Sequence, residues 1–303
     1  MSQIAFLGTG LLGTAMVESA LSKGEKVVVW NRSHEKAAPL EKLGATVAAT
    51  AGDAVRGAKR VHIVLKDDAV VDEVLGGCRE RLQGSLLIDH TTSSPEGTAR
   101  RATDLAAQGI DYLPAPVFMS PAMAKKAQGI ILASGPKALF EKAKSALEAM
   151  TGKVEYLGER PELAAVFKLS GNALIITMAA GLADVFALAS AQGVKPTEIM
   201  KLFEYFNPGA GLKWRGESMA AGEFSPASFE MTMARKDVRL MIEATEPGAV
   251  PLQVLPGIAA WMDRVIAEGH GREDFGALAR DVVIGREPPP PSRAKLPPSG
   301  DDD

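Results

Sequence analysis

The stretch that most constrains this chain is Ile4 to Met16, IAFLGTGLLGTAM. A short apolar run, Ile4 to Leu7, ends at Gly8, and Gly10 and Gly13 follow in the spacing G-x-G-x-x-G. Helical spacing then begins, with Leu12, Met16 and Leu21 among polar and small residues. Strand, glycine turn and helix, in that order, form a seat for a dinucleotide pyrophosphate at a helix N-terminus. Gly8 permits the tight turn, Gly10 lets a phosphate approach the backbone, and Gly13 lets the helix pack closely on the strand. Three glycines can also make a turn that holds no ligand, so the next unit decides.

That unit is Lys26 to Ser33, KVVVWNRS. Val27 to Trp30 reads as a second parallel strand, at whose end an NAD site carries an acid for the ribose 2′-hydroxyl. Here Asn31, Arg32 and Ser33 stand at that end, with no carboxylate. A guanidinium and a hydroxyl can grip a 2′-phosphate. The expectation is NADPH in preference to NADH, unless Arg32 is only a solvated surface arginine.

The chain has 303 residues, enough for two domains and a sizeable core. A net charge of −3 gives no general attraction for nucleic acid. The one cysteine, Cys78, excludes an intrachain disulfide framework and fits a reducing, cytoplasmic compartment. In its context GGCRE it reads as an incidental thiol. With a strand near the N-terminus, no signal peptide is expected. The Ala-rich run Leu174 to Ala191, interrupted by Asp184, reads as a buried helix rather than a membrane span. The four histidines are scattered, so no metal site is expected.

Taken in order, His34–Leu43 reads as a helix ending at Gly44 and Ala45–Ala49 as a strand. Arg60–Leu65 is a strand, Lys66-Asp67-Asp68 leads a helix to Leu75, and Ser85–Ile88 is a strand ending at Asp89. Pro95–Ala107 is a helix, Asp111–Leu113 and Gly129–Ala133 are short strands, Pro136–Met150 is a helix and Lys153–Leu157 a last strand. Strands alternating with helices predict an α/β, doubly wound, largely parallel Rossmann sheet. Segments after Gly8, Trp30, Leu65 and Ile88 should meet around one cofactor. From Leu163 the alternation stops. The predicted organisation is an NADP-binding domain over 1–162, a long helix over 163–191, an all-helical domain over 192–286 and a disordered proline-rich tail over 287–303. Breaks are expected at Pro208-Gly209, Pro226, Pro247-Gly248 and Gly269.

A nicotinamide enzyme needs a proton donor beside the hydride acceptor. Lys168 and Asn172 lie four apart and share a helix face among apolar and small residues. Partial burial would lower the lysine towards the working range of an acid. The same pattern also suits a lysine lying along a helix exterior.

The chain resembles the β-hydroxyacid dehydrogenase family, which includes 3-hydroxyisobutyrate dehydrogenases and glyoxylate, succinic semialdehyde and tartronate semialdehyde reductases. Four motifs carry the resemblance in order: GTGLLGTAM at Gly8–Met16, DHTTSSP at Asp89–Pro95, KLSGN at Lys168–Asn172 and FEMTMARKD at Phe229–Asp237. It covers nearly the whole chain except the tail. It implies an NADPH-dependent reductase of a small-molecule aldehyde or ketone, with Lys168 as general acid and Asn172 as its partner. It also implies that Thr92, Leu65, Lys66 and Lys236 lie near the cofactor, alongside Gly8, Gly10, Leu11, Leu12, Gly13, Asn31, Arg32 and Ser33. A homodimer packed through the long helix is implied too, with no nucleic-acid or membrane partner.

The departures are concentrated in two places. The family's P-V-S-G-G, whose serine and glycine backbone bind a substrate carboxylate, is here Pro116-Val117-Phe118-Met119-Ser120. Phe118 cannot donate that hydrogen bond, Met119 adds bulk, and Pro121 after Ser120 has no N–H. Phe118, Met119, Ser120 and Thr92 are therefore taken as substrate-pocket residues, either for a larger, less polar carbonyl compound or in a rearranged loop. Gly171 stands where the family often has an asparagine. An imine reductase with an apolar pocket is the rival enzyme, although Lys168 argues against it. A non-catalytic NADP-binding scaffold is the rival of another class.

Overall fold

The structure, a computed structural model, describes residues 3–246 and 250–285. The Pro247-Gly248 break and the proline-rich tail fall outside the described residues. By contact the chain divides into two compact units, Met1–Leu174 and Ile175–Asp303.

The first unit runs β1 (Gln3–Leu7), α1 (Leu11–Ser22), β2 (Lys26–Trp30), α2 (His34–Ala37), β3 (Thr46–Val47), α3 (Ala51–Val55) and β4 (Arg60–Ile63). It continues with α4 (Asp68–Gly76), β5 (Leu86–Asp89), α5 (Pro95–Ala106), β6 (Asp111–Pro114), β7 (Val117–Phe118), α6 (Pro121–Lys125), β8 (Ile130–Ala133), α7 (Lys137–Glu148) and β9 (Lys153–Tyr156). Six strands form a parallel sheet in the order β3-β2-β1-β4-β5-β6. The order reverses between β1 and β4, and a ligand crevice opens at such a point. Bonds from Gly8 N to Trp30 O, Val64 N to Leu7 O and His90 N to Ile63 O bring the carboxyl ends of β2, β1, β4 and β5 level.

Alternation sends Ile4, Phe6, Val27, Val29 and Ile88 to one face of the sheet, against α1 and α7. It sends Ala5, Leu7, Val28, Val61, Ile63 and Leu87 to the other, against α3, α4 and α5. Both faces are covered, so the strands read as continuous apolar runs. Each fully buried Leu or Ile contributes about 1.5–3 kcal/mol, and Leu7, Ile63 and Leu87 are wholly buried.

Several expectations change. The predicted helix 34–43 is one turn of α-helix followed by a 3-10 turn over Ala38–Leu43, because Pro39 removes a donor. Its end at Gly44, in the left-handed region, is as expected. The single predicted sheet is two: β7, β8 and β9 make a separate three-stranded sheet, with β7 antiparallel to β8 and β8 parallel to β9. Neither β7 nor α6 was expected, nor was α3.

α8 (Leu163–Ala191) has the predicted bounds. Over 174–191 it is not the buried helix expected: Leu174, Ile175, Ile176 and Met178 are exposed. By length and composition it is apolar enough to cross a membrane. Asp184, however, is buried, and its carboxylate accepts the N–H groups of Gln253, Val254 and Leu255 at 2.8–2.9 Å. Burial pushes this carboxyl up, but those donors hold it below the usual range.

The second unit continues with α9 (Pro196–Ile199), α10 (Leu212–Ala220), α11 (Met231–Thr245), α12 (Leu255–Val265) and α13 (Arg280–Val283). Asp184 thus caps the start of α12. The core of this unit is Phe224, Met231, Ala234, Val238, Ala259, Met262, Val265 and Ala277.

Candidate active site

The three glycines have three different surroundings. Gly8 has φ +103°, and a Cβ there would lie 2.9 Å from the Val64 carbonyl carbon and nearer still to its oxygen. A Cβ on Gly13 would lie 3.1 Å from the Gly8 carbonyl carbon. Gly10 has open space around it. It is the N-cap of α1 and supplies no side-chain cap, so the first N–H groups of that helix are left for a ligand.

These residues line a cleft of about 570 Å3 at the carboxyl ends of the strands. Gly8, Gly10, Leu11, Leu12, Gly13, Asn31, Arg32, Ser33, Leu65, Lys66 and Thr92, all singled out in the sequence, meet there. The cleft fits a dinucleotide: a glycine cradle lies at the helix N-terminus, and the exposed Arg32 and Lys36 lie beyond β2. Neither cation makes an ion pair among the described residues. The buried Thr9 Oγ1 has no partner among the described residues. Asn31 also braces the site. Its Oδ1 accepts Thr9 N at 3.0 Å and its Nδ2 donates to Ser33 O at 3.0 Å, bracing the glycine loop against the β2 turn.

The loop after β5 is pinned on both sides of Thr92. Asp89 Oδ1 accepts Thr91 N at 2.9 Å, Thr91 Oγ1 accepts Leu65 N at 3.1 Å, and Asp68 Oδ2 accepts Ser94 N at 2.7 Å. Beneath it lies the buried Arg101. Its guanidinium reaches Asp68 Oδ1 at 2.9 Å, Asp72 Oδ1 at 2.8 Å and Tyr112 Oη at 3.2 Å. Tyr112 in turn donates to Asp89 Oδ2 at 2.8 Å. Burial raises the Asp89 carboxyl, outweighing those donors. Thr92 itself is exposed to the cleft.

His90 also lines the cleft, buried. Its Nδ1 lies 2.7 Å from Ala115 O, so it carries the proton there, and its Nε2 accepts from His62 Nδ1 at 3.0 Å. Burial lowers both rings, His90 to about 4.

Lys168, half-buried on α8, donates from Nζ to Asn172 Oδ1 at 3.0 Å. Burial lowers it from the ordinary lysine value, with no charged neighbour contributing. The ring of Phe118, from β7, lies with its centroid 4.0 Å from Nζ. Lys168 thus packs on an aromatic ring with its ammonium held by Asn172.

The other expected site residues have these surroundings. Met119 packs on the core of the sheet, and Ser120 caps α6 by accepting Met123 N at 3.3 Å. Lys236 is exposed on α11 in the helical unit, 3.0 Å from Asp237 Oδ1. Cys78 is buried and its thiol is pushed up to about 11 by burial, as suits an inert thiol. No group of residues suited to hold a metal ion occurs among the described residues. Lys36, His90, Thr91, Val70, Glu73 and Val74 line the cleft without having been foreseen. Only Lys36 had a readable signal, as a second cation just after Arg32.

Comparison with known proteins agrees with this geometry. The NAD binding domain of 6-phosphogluconate dehydrogenase matches residues 3–158, and the NADPH-dependent reductive aminase-like C-terminal domain matches residues 160–283. Glyoxylate/succinic semialdehyde reductase 1 of Arabidopsis thaliana is 30% identical, over 94% of this chain and 100% of its own length. 3-Sulfolactaldehyde reductase of Escherichia coli is 27% identical, over 94% of this chain and 97% of its own. A reductive aminase from Aspergillus terreus, solved with NADPH4, cyclohexanone and allyl amine, superposes with a TM-score of 0.86 at 25% identity, covering 93% of this chain and 99% of that one. The chain belongs to the 3-hydroxyisobutyrate dehydrogenase-like family of NAD(P)-dependent oxidoreductases.

Proposed function

We propose that the protein is an NADPH-dependent reductase of small aldehydes or ketones in which Lys168 is the general acid. The observation that carries this reading is the Lys168–Asn172 pair, an ammonium held by one neutral acceptor and lowered by burial. Bound dihydronicotinamide supplies a hydride to the carbonyl carbon. Lys168 Nζ gives its proton to the carbonyl oxygen, and in the reverse direction takes it back. Asn172 keeps the ammonium from swinging into solvent. The preference for NADPH rests on Arg32, Ser33 and Lys36 at the end of the cleft, with no carboxylate from β2 beside them. Asn31, Leu65, Lys66 and Thr92 shape the cofactor seat, and Lys236 is taken as a cofactor contact on the strength of the motif alone.

Imine reduction is the second reading. The reductive aminase-like C-terminal match and the aromatic wall made by Phe118 favour it. A homodimer through α8 is the third element of the proposal. Its apolar face is exposed in the single chain, while the buried Asp184 ties the same helix to α12.

The test is NADPH oxidation with succinic semialdehyde, glyoxylate, butanal, cyclohexanone and the cyclic imine 1-pyrroline, for wild type and Lys168→Ala. Turnover of a carbonyl compound that falls at least about a hundredfold in the variant supports the general acid. Turnover confined to the imine and untouched by the substitution overturns it. A monomer by light scattering at micromolar concentration overturns the dimer.

A further inference from the structure

We propose that Phe118 is a positioning residue for Lys168, and that Gly171 is glycine because the Phe118 ring occupies the space of its side chain. The inference rests on the reading of Lys168 as proton donor for its meaning in catalysis, but not for its geometry. Lys168, Gly171 and Asn172 share one face of α8 at spacings of three and four residues. Phe118 reaches that face from β7. Its ring centroid is 4.0 Å from Lys168 Nζ, on an ammonium already hydrogen-bonded to Asn172 at 3.0 Å. A Cβ on Gly171 would lie 3.0 Å from Phe118 Cε1 and 3.3 Å from Cε2, with Cζ nearer still.

The backbone that carries the ring is held in place. Phe118 is paired with Ile130 in the small sheet. Gly129 next to it, at φ +102°, has room for no side chain either, since a Cβ would meet Phe118 O and Met119 Cβ at 2.7 Å. Gly129 thus leaves room for the backbone of β7, and Gly171 for the ring that β7 carries. The ring acts on the ammonium in two ways. Its π face attracts the cation, and its bulk keeps water from one side. With the ring in place Lys168 has one seat, on Asn172; without it the four-carbon stem is free to sample others.

A glycine inside a helix ordinarily gains stability when changed to alanine. At position 171 the ring reverses that sign. The experiment uses the full chain as Phe118→Ala, Gly171→Ala and the double variant, with Lys168→Ala as reference. Thermal midpoint, NADPH dissociation constant, the NMR titration of 13C-labelled Lys168, and kcat and KM on whichever of succinic semialdehyde or cyclohexanone the wild type reduces are measured. Gly171→Ala is expected to lower the midpoint in the wild type and to raise it in the Phe118→Ala background. Phe118→Ala is expected to move the Lys168 titration up towards the ordinary lysine value, because burial, the cause of its lowering, outweighs the attraction of the π face. It should also lower kcat by about tenfold or more, with NADPH affinity changed by less than about threefold. A midpoint raised by Gly171→Ala in both backgrounds overturns the packing. A Phe118→Ala protein with unchanged kcat and unchanged Lys168 titration overturns the positioning. Should Lys168→Ala itself keep full turnover while Phe118→Ala still moves the Lys168 titration, the general-acid reading falls and the seat of the ammonium stands.

Discussion

Gly10 and Gly13 carry the same motif, yet alanine should do different things at each. At Gly13 the new methyl would meet the Gly8 carbonyl, 3.1 Å from its carbon and closer to its oxygen. Both partners are backbone, so relief requires α1 to move away from β1. Overpacking of this kind costs about 1–3 kcal/mol, and helix propensity returns at most about 1 kcal/mol. The net loss is about 1–2 kcal/mol, or roughly 2–8 °C in Tm for a domain of this size. At Gly10 the backbone has φ −68° and ψ −173°, ordinary for alanine, and no atom lies within 4 Å. The poorer N-cap costs about 0.5–1 kcal/mol, and the stiffer unfolded chain returns about as much. Stability should therefore change by less than about 0.5 kcal/mol. The methyl would, however, stand in the cleft at the N-terminus of α1. Losing one or two charge-assisted bonds to a phosphate there costs about 1.5–3 kcal/mol, or about ten- to a hundredfold in affinity. The assay is an NADPH fluorescence titration beside a thermal melt for both variants. Both should lose affinity, and only Gly13→Ala should lose stability. An unchanged NADPH dissociation constant in Gly10→Ala would refute the placement of the phosphates at this helix end.

Three further perturbations test separate parts of the first unit. Arg32→Ala should weaken NADPH by about tenfold or more while leaving NADH nearly unchanged; equal effects on both would mean that Arg32 does not meet the 2′-phosphate. Arg101→Met leaves Asp89 and Asp68 without their cation, and Asp72 with Arg100 alone, and should cost about 3–5 kcal/mol by denaturant unfolding; a loss under about 1 kcal/mol would mean that Asp89, raised by burial, is protonated in the folded protein. The buried His62–His90 pair should make the fold acid-sensitive. His90 falls from 6.5 to about 4, so the unfolded chain takes its proton first as pH drops below 6.5. Stability present above pH 6.5 is lost progressively, with about 2 kcal/mol gone by pH 5 from His90 alone. An unfolding free energy that is flat from pH 7 to 5 would refute neutral burial of the pair.

What could be read in the sequence was local, and what could not joins distant residues. β1, β2, β4 and β5 were legible because buried parallel strands are short apolar runs closed by a turn residue, and the glycine motif because turn chemistry sits within six residues. β7 escaped because a strand of two residues between prolines carries no period. The small sheet followed it, since β8 and β9 alone look like more of the large one. Asp184 looked like an interruption in an apolar helix. Its purpose lies about seventy residues away at the start of α12, where capping turns a buried carboxylate into three satisfied hydrogen bonds.

The pair Phe118 and Gly171 shows the same limit at the candidate site. Read along the chain they are two separate departures from a family pattern, each of which removes a polar group and so weakens the case for chemistry at Lys168. In space they are one change. An aromatic residue at 118 leaves no room for a side chain at 171, and a glycine at 171 leaves a gap that an aromatic ring at 118 fills. The ring then contacts the ammonium whose hydrogen bond to Asn172 is intact. Either residue alone would damage the helix face around Lys168, by a clash or by a void. Together they restore its packing with a different polarity, which is how a family member can keep its lysine while exchanging the surface beside it.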